Sequence, residues 1–301
     1  MSTQDFYSQG KLLLTGEYVV LDGAEALALP CKPGQSLSLQ KTTGNSFQWT
    51  SYLKNGKLWH ESLFTLEDIL NNKHKNDFEK RLFEILKVIY RLRPELFESK
   101  YSFTTKLDFE KDWGLGSSST LINNLSQWAD IDPYFLLKNT FGGSGYDIAA
   151  AGNKSPFIYS RHEDKIHTRV VELDENLKPH LYFVYLNKKQ NSREGIAEYR
   201  KKRPDKRVIE EISKISRKLT KTKELKSFEN FLRAHESIIS EIIGREAIQP
   251  HLFSEYKSGV VKSLGAWGGD FVLVTVRQQK DLEYFQNNGY SVIFNYKDLV
   301  Y

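Results

Sequence analysis

The segment DWGLGSSSTLINNLSQWA, residues 112–129, sets two glycines and three consecutive serines between an alternating run, YSFTTKLDF (101–109), and a run with helical spacing. It reads as a strand that passes through a turn of small residues into a helix. Small residues let the backbone approach a ligand, and the first turn of a helix offers unpaired N–H groups at the positive end of its dipole. A phosphate suits such a place. The hydroxyls of Ser117, Ser118 and Ser119 suit the same phosphate or a magnesium ion. The loop is not a Walker loop, because the Gly-Lys-[Ser/Thr] ending is absent. A simple helix cap is the plainer account of the same residues.

Around this junction the chain is ordinary in composition. Its 301 residues exceed what one small core needs, and 40% apolar with 27% charged residues describes a soluble globular protein. Forty-three basic against 38 acidic side chains leave a net charge of +5, which suits a small anionic substrate without calling for nucleic acid. The single cysteine, Cys31, excludes an internal disulfide and suits a reducing cytoplasm. MSTQDFYSQG at the N-terminus is polar, unlike a signal peptide, and no run approaches the roughly 20 apolar residues of a membrane helix. The expectation is a cytoplasmic protein without membrane or nucleic-acid partners, monomeric or homodimeric.

Outward from the junction, short strands dominate the first part of the chain. An amphipathic helix begins at Asp77, with Phe78, Leu82, Ile85, Leu86, Ile89 and Leu92 at helical spacing, and ends before Pro94. Asp132-Pro133 opens a further helix. SPFIYSR and KIHTRVVEL read as a hairpin, LYFVYLN (181–187) as a buried strand, and about 193–244 as a long helical region. DFVLVTV, LEYFQNNGY and SVIFNY close the chain as β-α-β. The fold class is therefore α+β, and the polar stretch DENLKPH marks a boundary between lobes at residues 1–175 and 176–301.

Three further stretches carry candidate chemistry. FGGSGYDIAAAG (141–152) crowds four glycines and Ser144 around Asp147, a carboxylate placed to accept or orient a hydroxyl proton or, more plainly, to cap the IAAA turn. KSLGAWGGDFVLVT (262–275) sets glycine-rich turns before a strong strand, which reads most simply as a hairpin turn and otherwise as backbone approaching an anion. Gly10-Lys11 opens the first strand pair, where a lysine is usually a solvated strand end.

Taken in order, GKLLLTGEYVVLDG (10–23), GLGSSST (114–120), GGSGYDIAAA (142–151) and KSLGAWGGD (262–270) resemble the motifs of the GHMP small-molecule kinases. The Gly-Tyr-Asp-Ile-Ala string resembles the bacterial subgroup known by those letters, and the pattern looks most like phosphomevalonate and mevalonate kinases. The resemblance implies a two-lobed fold, with an N-terminal lobe like ribosomal protein S5 and a ferredoxin-like C-terminal lobe. It implies ATP-dependent phosphorylation of a small acceptor of the mevalonate route to isoprenoids, foremost 5-phosphomevalonate. Mevalonate itself is the alternative acceptor, and a non-catalytic nucleotide-binding homologue is the alternative role.

Residue by residue, the resemblance gives ATP binding to Gly114, Leu115, Gly116, Ser117, Ser118 and Ser119, and magnesium to Ser118. It gives catalysis to Asp147 and Lys11, and the substrate and phosphate loop to Gly265, Gly268, Gly269 and Ser144. The strand-to-loop segment YLNKKQNSREG (185–195) adds Lys188, Lys189, Ser192 and Arg193, cations and a hydroxyl suited to an anionic acceptor. Glu17 and Tyr18 in the first motif are placed either to touch substrate or to pack. Two departures stand out. Leu136 occupies the place where mevalonate kinases carry a magnesium-holding glutamate, and Trp267 replaces the middle glycine of the last motif, where an indole would narrow the phosphate space.

Overall fold

The computed structural model describes residues 3–163, 165–189, 192–202, 204–267 and 269–301, and for 192–194 the backbone alone. In chain order the strands are β1 (Gln4–Leu13), β2 (Ala26–Thr42), β3 (Phe47–Tyr52), β4 (Leu58–Phe64), β5 (Lys100–Leu107), β6 (Phe157–His162), β7 (Lys165–Val170), β8 (Leu181–Tyr185), β9 (Val261–Ser263), β10 (Phe271–Thr275) and β11 (Ile293–Asn295). The helices are α1 (Leu66–Leu70), α2 (Asp77–Leu92), α3 (Ser117–Ala129), α4 (Pro133–Lys138), α5 (Tyr146–Ala151), α6 (Ser192–Lys201), α7 (Lys206–Leu219), α8 (Leu225–Ile243), α9 (Ile248–Leu252), α10 (Glu283–Asn287) and α11 (Tyr296–Leu299). The chain forms two compact units, one of residues 1–10, 33–111 and 115–152, the other of 11–32, 112–114 and 153–301. None of the described helices is long and apolar enough to cross a membrane.

In the first unit the strands run β4-β3-β5-β2. β3 lies antiparallel to β4 and parallel to β5, and β5 lies antiparallel to the Gln35–Thr42 part of β2. α2 forms where the spacing predicts it: the Asn76 side chain caps the Glu79 amide at 2.9 Å, and the helix stops one residue short of the Arg93-Pro94 step. Its inward stripe of Leu82, Phe83, Ile85, Leu86 and Ile89 packs with Trp49, Phe103 and Trp128 into one core. Each such side chain removed from water contributes about 1.5–3 kcal/mol. α3, α4 and α5 add Leu121, Leu125, Leu136 and Ile148 to that core.

In the second unit the Ala26–Ala28 part of β2 pairs with β6, and β6 with β7, as the hairpin reading predicts. A separate antiparallel sheet has the order β11-β8-β10-β9. β10 is its fully buried centre, because FVLVT carries no charge and every residue faces protein. β9 and β10 pair antiparallel, in keeping with the hairpin reading of KSLGAWGGDFVLVT. The long helical region is three helices, α6 to α8.

Candidate active site

Two glycine positions shape the loop at 114–120. Gly114 lies at φ +66° and Gly116 at φ +91°, in the left-handed region where a side chain is strained. At Gly114 space is refused as well, because a Cβ there would stand 2.3 Å from Asp270 Oδ2.

In the first unit Gly116 is the N-cap of α3, no side chain caps the helix, and no acid occupies its first turn. The first intrahelical bond of this turn runs from the Thr120 amide to the Gly116 carbonyl at 3.0 Å, so the amides before it lack intrahelical acceptors. Leu115 is fully buried and anchors the loop, which leaves its backbone alone to face a ligand. Ser117 is half-buried and Ser118 exposed. Ser119 is buried, and its hydroxyl donates to the Gly116 carbonyl at 2.9 Å, so it closes the turn. Thr120 likewise turns inward, donating to Gln35 Oε1 at 2.8 Å. A triphosphate fits this arrangement through bare amides, and a cation fits it through the exposed Ser118 hydroxyl.

α5 packs beside α3 in the same unit and carries Asp147 in its first turn. Gly142, Gly143 and Gly145 all have positive φ (+66°, +111° and +87°), which explains why three glycines precede the aspartate. Gly145, not Asp147, is the N-cap, and the half-buried Asp147 accepts the Ile148 amide at Oδ1 over 3.1 Å. Burial and the carboxylates of Asp132 and Asp147 raise the Tyr134 phenol to about 12. Ser144 is half-buried in the same turn. Leu136, at the place of the family's glutamate, is fully buried in the core.

In the second unit Lys11 is half-buried, and its Nζ donates to the Gly114 carbonyl at 2.7 Å. Gly114 is also where Asp270 comes to rest. Asp270 has φ +56°, its amide donates to the Lys188 carbonyl at 2.6 Å, and its carbonyl accepts the Leu186 amide at 2.8 Å. The end of β8 and the end of the last glycine-rich turn are thus laced together. Sequence reasoning left Asp270 out of the candidates, although its position at the end of Gly-Gly-Asp was a usable signal. Lys188 and Lys189 are exposed, and Lys189 pairs with Asp112 at 3.3 Å. An exposed pair of this kind contributes little stability.

Gly265 has φ +62°, and nothing lies within 4 Å of a Cβ placed on it, so its conformation and not its space requires glycine. Gly269 is buried. Gly268 and the side chains of Ser192 and Arg193 lie outside the described residues. The indole of Trp267 is buried with Tyr18, Tyr199, Ile212 and Ile239, so it fills a core rather than narrowing a phosphate space. Glu17 is likewise buried, with 1% exposure, and its partners lie inside the unit rather than at a substrate. No cluster of three or more His, Cys, Asp or Glu residues arranged for a metal occurs among the described residues.

No protein-family model matches the chain, and no curated protein matches it in sequence. Solved structures do match it along almost its full length. The mevalonate kinase of Methanococcus jannaschii superposes with a TM-score of 0.69 at 19% identity, over 98% of each chain. The phosphomevalonate kinase of Streptococcus pneumoniae, solved with phosphomevalonate and AMPPNP, superposes with a TM-score of 0.69 at 13% identity, over 98% of this chain and 100% of its own. The galactokinase of Lactococcus lactis, complexed with galactose, gives 0.70 at 14% identity, over 98% and 93%. The chain has the GHMP kinase fold.

Proposed function

We propose that this chain is an ATP-dependent small-molecule kinase, transferring a phosphoryl group to a small anionic acceptor, foremost 5-phosphomevalonate. One observation carries the reading: α3 opens on a left-handed glycine, uncapped and free of acids in its first turn. A helix start built in this way leaves its amides open to an anion such as phosphate. The full-length likeness to kinases, one of them bound to phosphomevalonate and AMPPNP, supports the same reading.

In this proposal the backbone of Gly114, Leu115, Gly116, Ser117, Ser118 and Ser119 holds the ATP phosphates, and Ser118 contributes its hydroxyl to magnesium. When bound, the metal neutralises charge on the phosphates. With mevalonate as acceptor, Asp147 accepts or orients the proton of its hydroxyl. With 5-phosphomevalonate the attacking atom is an oxygen of its phosphate, which Asp147 orients and whose remaining proton it takes, as that oxygen bonds to phosphorus and the bond to ADP breaks. The Lys11 ammonium stabilises negative charge building on the transferred group. Ser144, Gly265, Gly268, Gly269, Lys188, Lys189, Ser192 and Arg193 hold the acceptor. The exposed lysines at 188 and 189 favour a phosphorylated acceptor over mevalonate itself.

The test is ADP release from ATP and magnesium, with mevalonate and 5-phosphomevalonate offered separately and Asp147→Asn as the control. The expected outcome is turnover with 5-phosphomevalonate and a loss of roughly 10²–10⁴-fold in the variant, with nucleotide affinity kept. Undiminished turnover in Asp147→Asn removes its catalytic role. ATP binding without turnover on either acceptor removes the substrate assignment.

A further inference from the structure

Four ionisable side chains from three separated stretches meet inside the second unit. Glu17 follows Gly16 in the turn after β1, His235 and Glu236 lie on α8, and Lys262 lies on β9. Their exposures are 1%, 0%, 4% and 0% respectively. Lys262 Nζ donates to Glu17 Oε1 at 2.5 Å and to the Ser263 carbonyl at 2.7 Å, and stands 3.9 Å from Glu236 Oε2. His235 Nε2 stands 3.2 Å from Glu17 Oε2. Two carboxylates thus share one lysine where water does not reach, and burying an unbalanced charge is costly.

Hydrogen bonds locate the proton that balances them. The Gly16 amide donates to His235 Nε2 at 2.9 Å, so that nitrogen presents its lone pair and the ring proton belongs on Nδ1, which is buried without a hydrogen-bond partner among the described residues. Glu17 Oε2, without another hydrogen-bond partner among the described residues, faces the same nitrogen at 3.2 Å. The contact is attractive only if a proton lies between them, sharing the one lone pair with the Gly16 amide. The imidazole does not supply it, because burial, and then the nearby Lys262, push its pKa well below the usual value. Burial raises the Glu236 carboxyl as well, but its hydrogen bonds oppose that. Its Oε1 accepts from the Ser263 hydroxyl at 2.9 Å and from the Ser263 and Ile248 amides at 3.2 and 3.3 Å, and three donors favour the anion. Lys262, 2.5 Å from Glu17 and 3.9 Å from Glu236, balances one negative charge for the two carboxylates, and the approach of Glu17 Oε2 to His235 Nε2 assigns the remaining proton to Glu17. Burial, opposed by Lys262, raises its carboxyl from 4.5 to about 7.

We propose that Glu17 bridges His235 and Lys262 as a neutral acid, and that this proton-linked clasp positions the residues of the turn that follows Ser263, Leu264 to Trp267. Lys262 and Ser263 lead directly into that turn, and the left-handed Gly16 that precedes Glu17 is pressed on Ala26, where a Cβ would lie 2.5 Å from the Ala26 Cβ. The Glu17 end of the clasp is therefore tied to tightly packed backbone, and the Lys262 end leads into the turn. Besides Lys262, His235 and Glu236, the titratable neighbour of Glu17 among the described residues is Tyr18, with Arg245 beyond it. When the proton leaves, two buried anions face one cation and the clasp slackens. Positioning by the turn rests on the kinase reading; the location of the proton does not.

The experiment compares the wild type with Glu17→Gln and Lys262→Met between pH 5 and 8.5. It follows thermal unfolding, the carbon-13 carboxyl resonance of Glu17, the nitrogen-15 resonances of His235, and the amide resonances of Gly265 and Gly269. The amide of Glu17→Gln reproduces the neutral acid, donating to His235 and accepting from Lys262, so this variant is expected to fold. Because the folded carboxyl titrates above its unfolded value, the wild type loses stability as pH rises from about 4.5 to about 7 on account of Glu17 alone. The Glu17→Gln melting temperature should accordingly gain on the wild type through that window and hold its lead above it.

The Gly265 and Gly269 amides should follow the Glu17 titration in the wild type and stay silent to it in Glu17→Gln. Lys262→Met, which strands the Glu236 anion, should melt well below both. A Glu17 carboxyl that titrates near 4.5, or a His235 proton on Nε2, overturns the proposal. A raised Glu17 titration that leaves the two glycines unmoved overturns its positioning half. Absence of kinase turnover alters none of these readings and bears on the proposed function alone.

Discussion

Lys11 Nζ donates to the backbone carbonyl of Gly114 at 2.7 Å, joining the first strand to the glycine that opens the loop at 114–120 across 103 residues of sequence. The hydrogen bond to this carbonyl fixes the ammonium in place. A fixed cation costs no reorganisation when negative charge grows on a transferred phosphoryl group. Lys11→Met should therefore lower kcat by about 10²–10³-fold, the usual effect of removing one such group, while nucleotide affinity changes far less. Steady-state kinetics beside calorimetric titration with ATP separate the two. An unchanged kcat would leave Lys11 as a strand-end contact only.

Gly114 and Asp270 make a reciprocal pair. The carboxylate occupies the space a Cβ would take, 2.3 Å from it, and φ is +66°. Gly114→Ala meets both obstacles, whereas Gly114→Ala with Asp270→Ala meets only the second, about 1–2 kcal/mol of left-handed strain. Thermal unfolding should show the single substitution at Gly114 as the less stable protein and the double variant as a partial recovery. Additive losses would mean that the carboxylate swings away freely. The cycle reads a native contact directly, since coupling is expected between touching residues.

These two residues also mark the limit of what the sequence discloses. α2, α3 and the β9–β10 hairpin are legible because their signals are local: a cap at Asn76, a helical stripe from Leu82 to Ile89, and glycines between strands. The glycines of the loop and of the Asp147 turn are legible for the same reason, since positive φ is a property of one residue. Asp270 against Gly114, and Glu17 against Lys262, join residues 156 and 245 positions apart, and no spacing rule reaches that far. The burial of Trp267 is not legible, because a glycine-rich neighbourhood tells nothing of the side on which an indole falls. The three serines look alike in sequence, yet a helix turn separates hydroxyls by about 100° per residue, so Ser119 turns inward.

Glu229 carries a second buried charge, and here the sign of the pH effect is opposite to that of Glu17. It is 1% exposed and accepts both arms of Arg277, at 2.6 and 2.7 Å, with the Thr275 hydroxyl at 2.5 Å. Burial pushes the carboxyl up, but the guanidinium and hydroxyl pull harder and leave it below the usual value. A depressed folded pKa stabilises the protein above the unfolded value of 4.5 and is lost as pH falls through the folded one. Glu229→Gln should thus cost about 1.5–3 kcal/mol at pH 7, the range for hydrogen bonds to charged groups. Melting curves from pH 7 to pH 3 should show the two proteins converging. A constant gap would place the effect in packing.

Trp267 offers the last prediction, and it runs against the motif. A glycine at this position would complete the family's pattern, which suggests that Trp267→Gly opens the phosphate site and raises activity. The structure gives the opposite expectation. The indole is 2% exposed and packs with Tyr18, Tyr199, Ile212 and Ile239, so its removal leaves a cavity rather than a wider site. Truncating a buried tryptophan costs about 3–5 kcal/mol. Its Nε1 is buried without a hydrogen-bond partner among the described residues, so Trp267→Phe gives up volume but no hydrogen bond. Chemical denaturation should therefore rank wild type first, Trp267→Phe a short step below, and Trp267→Gly far below both. A Trp267→Gly protein as stable as the wild type and faster in turnover would put the indole back at the substrate.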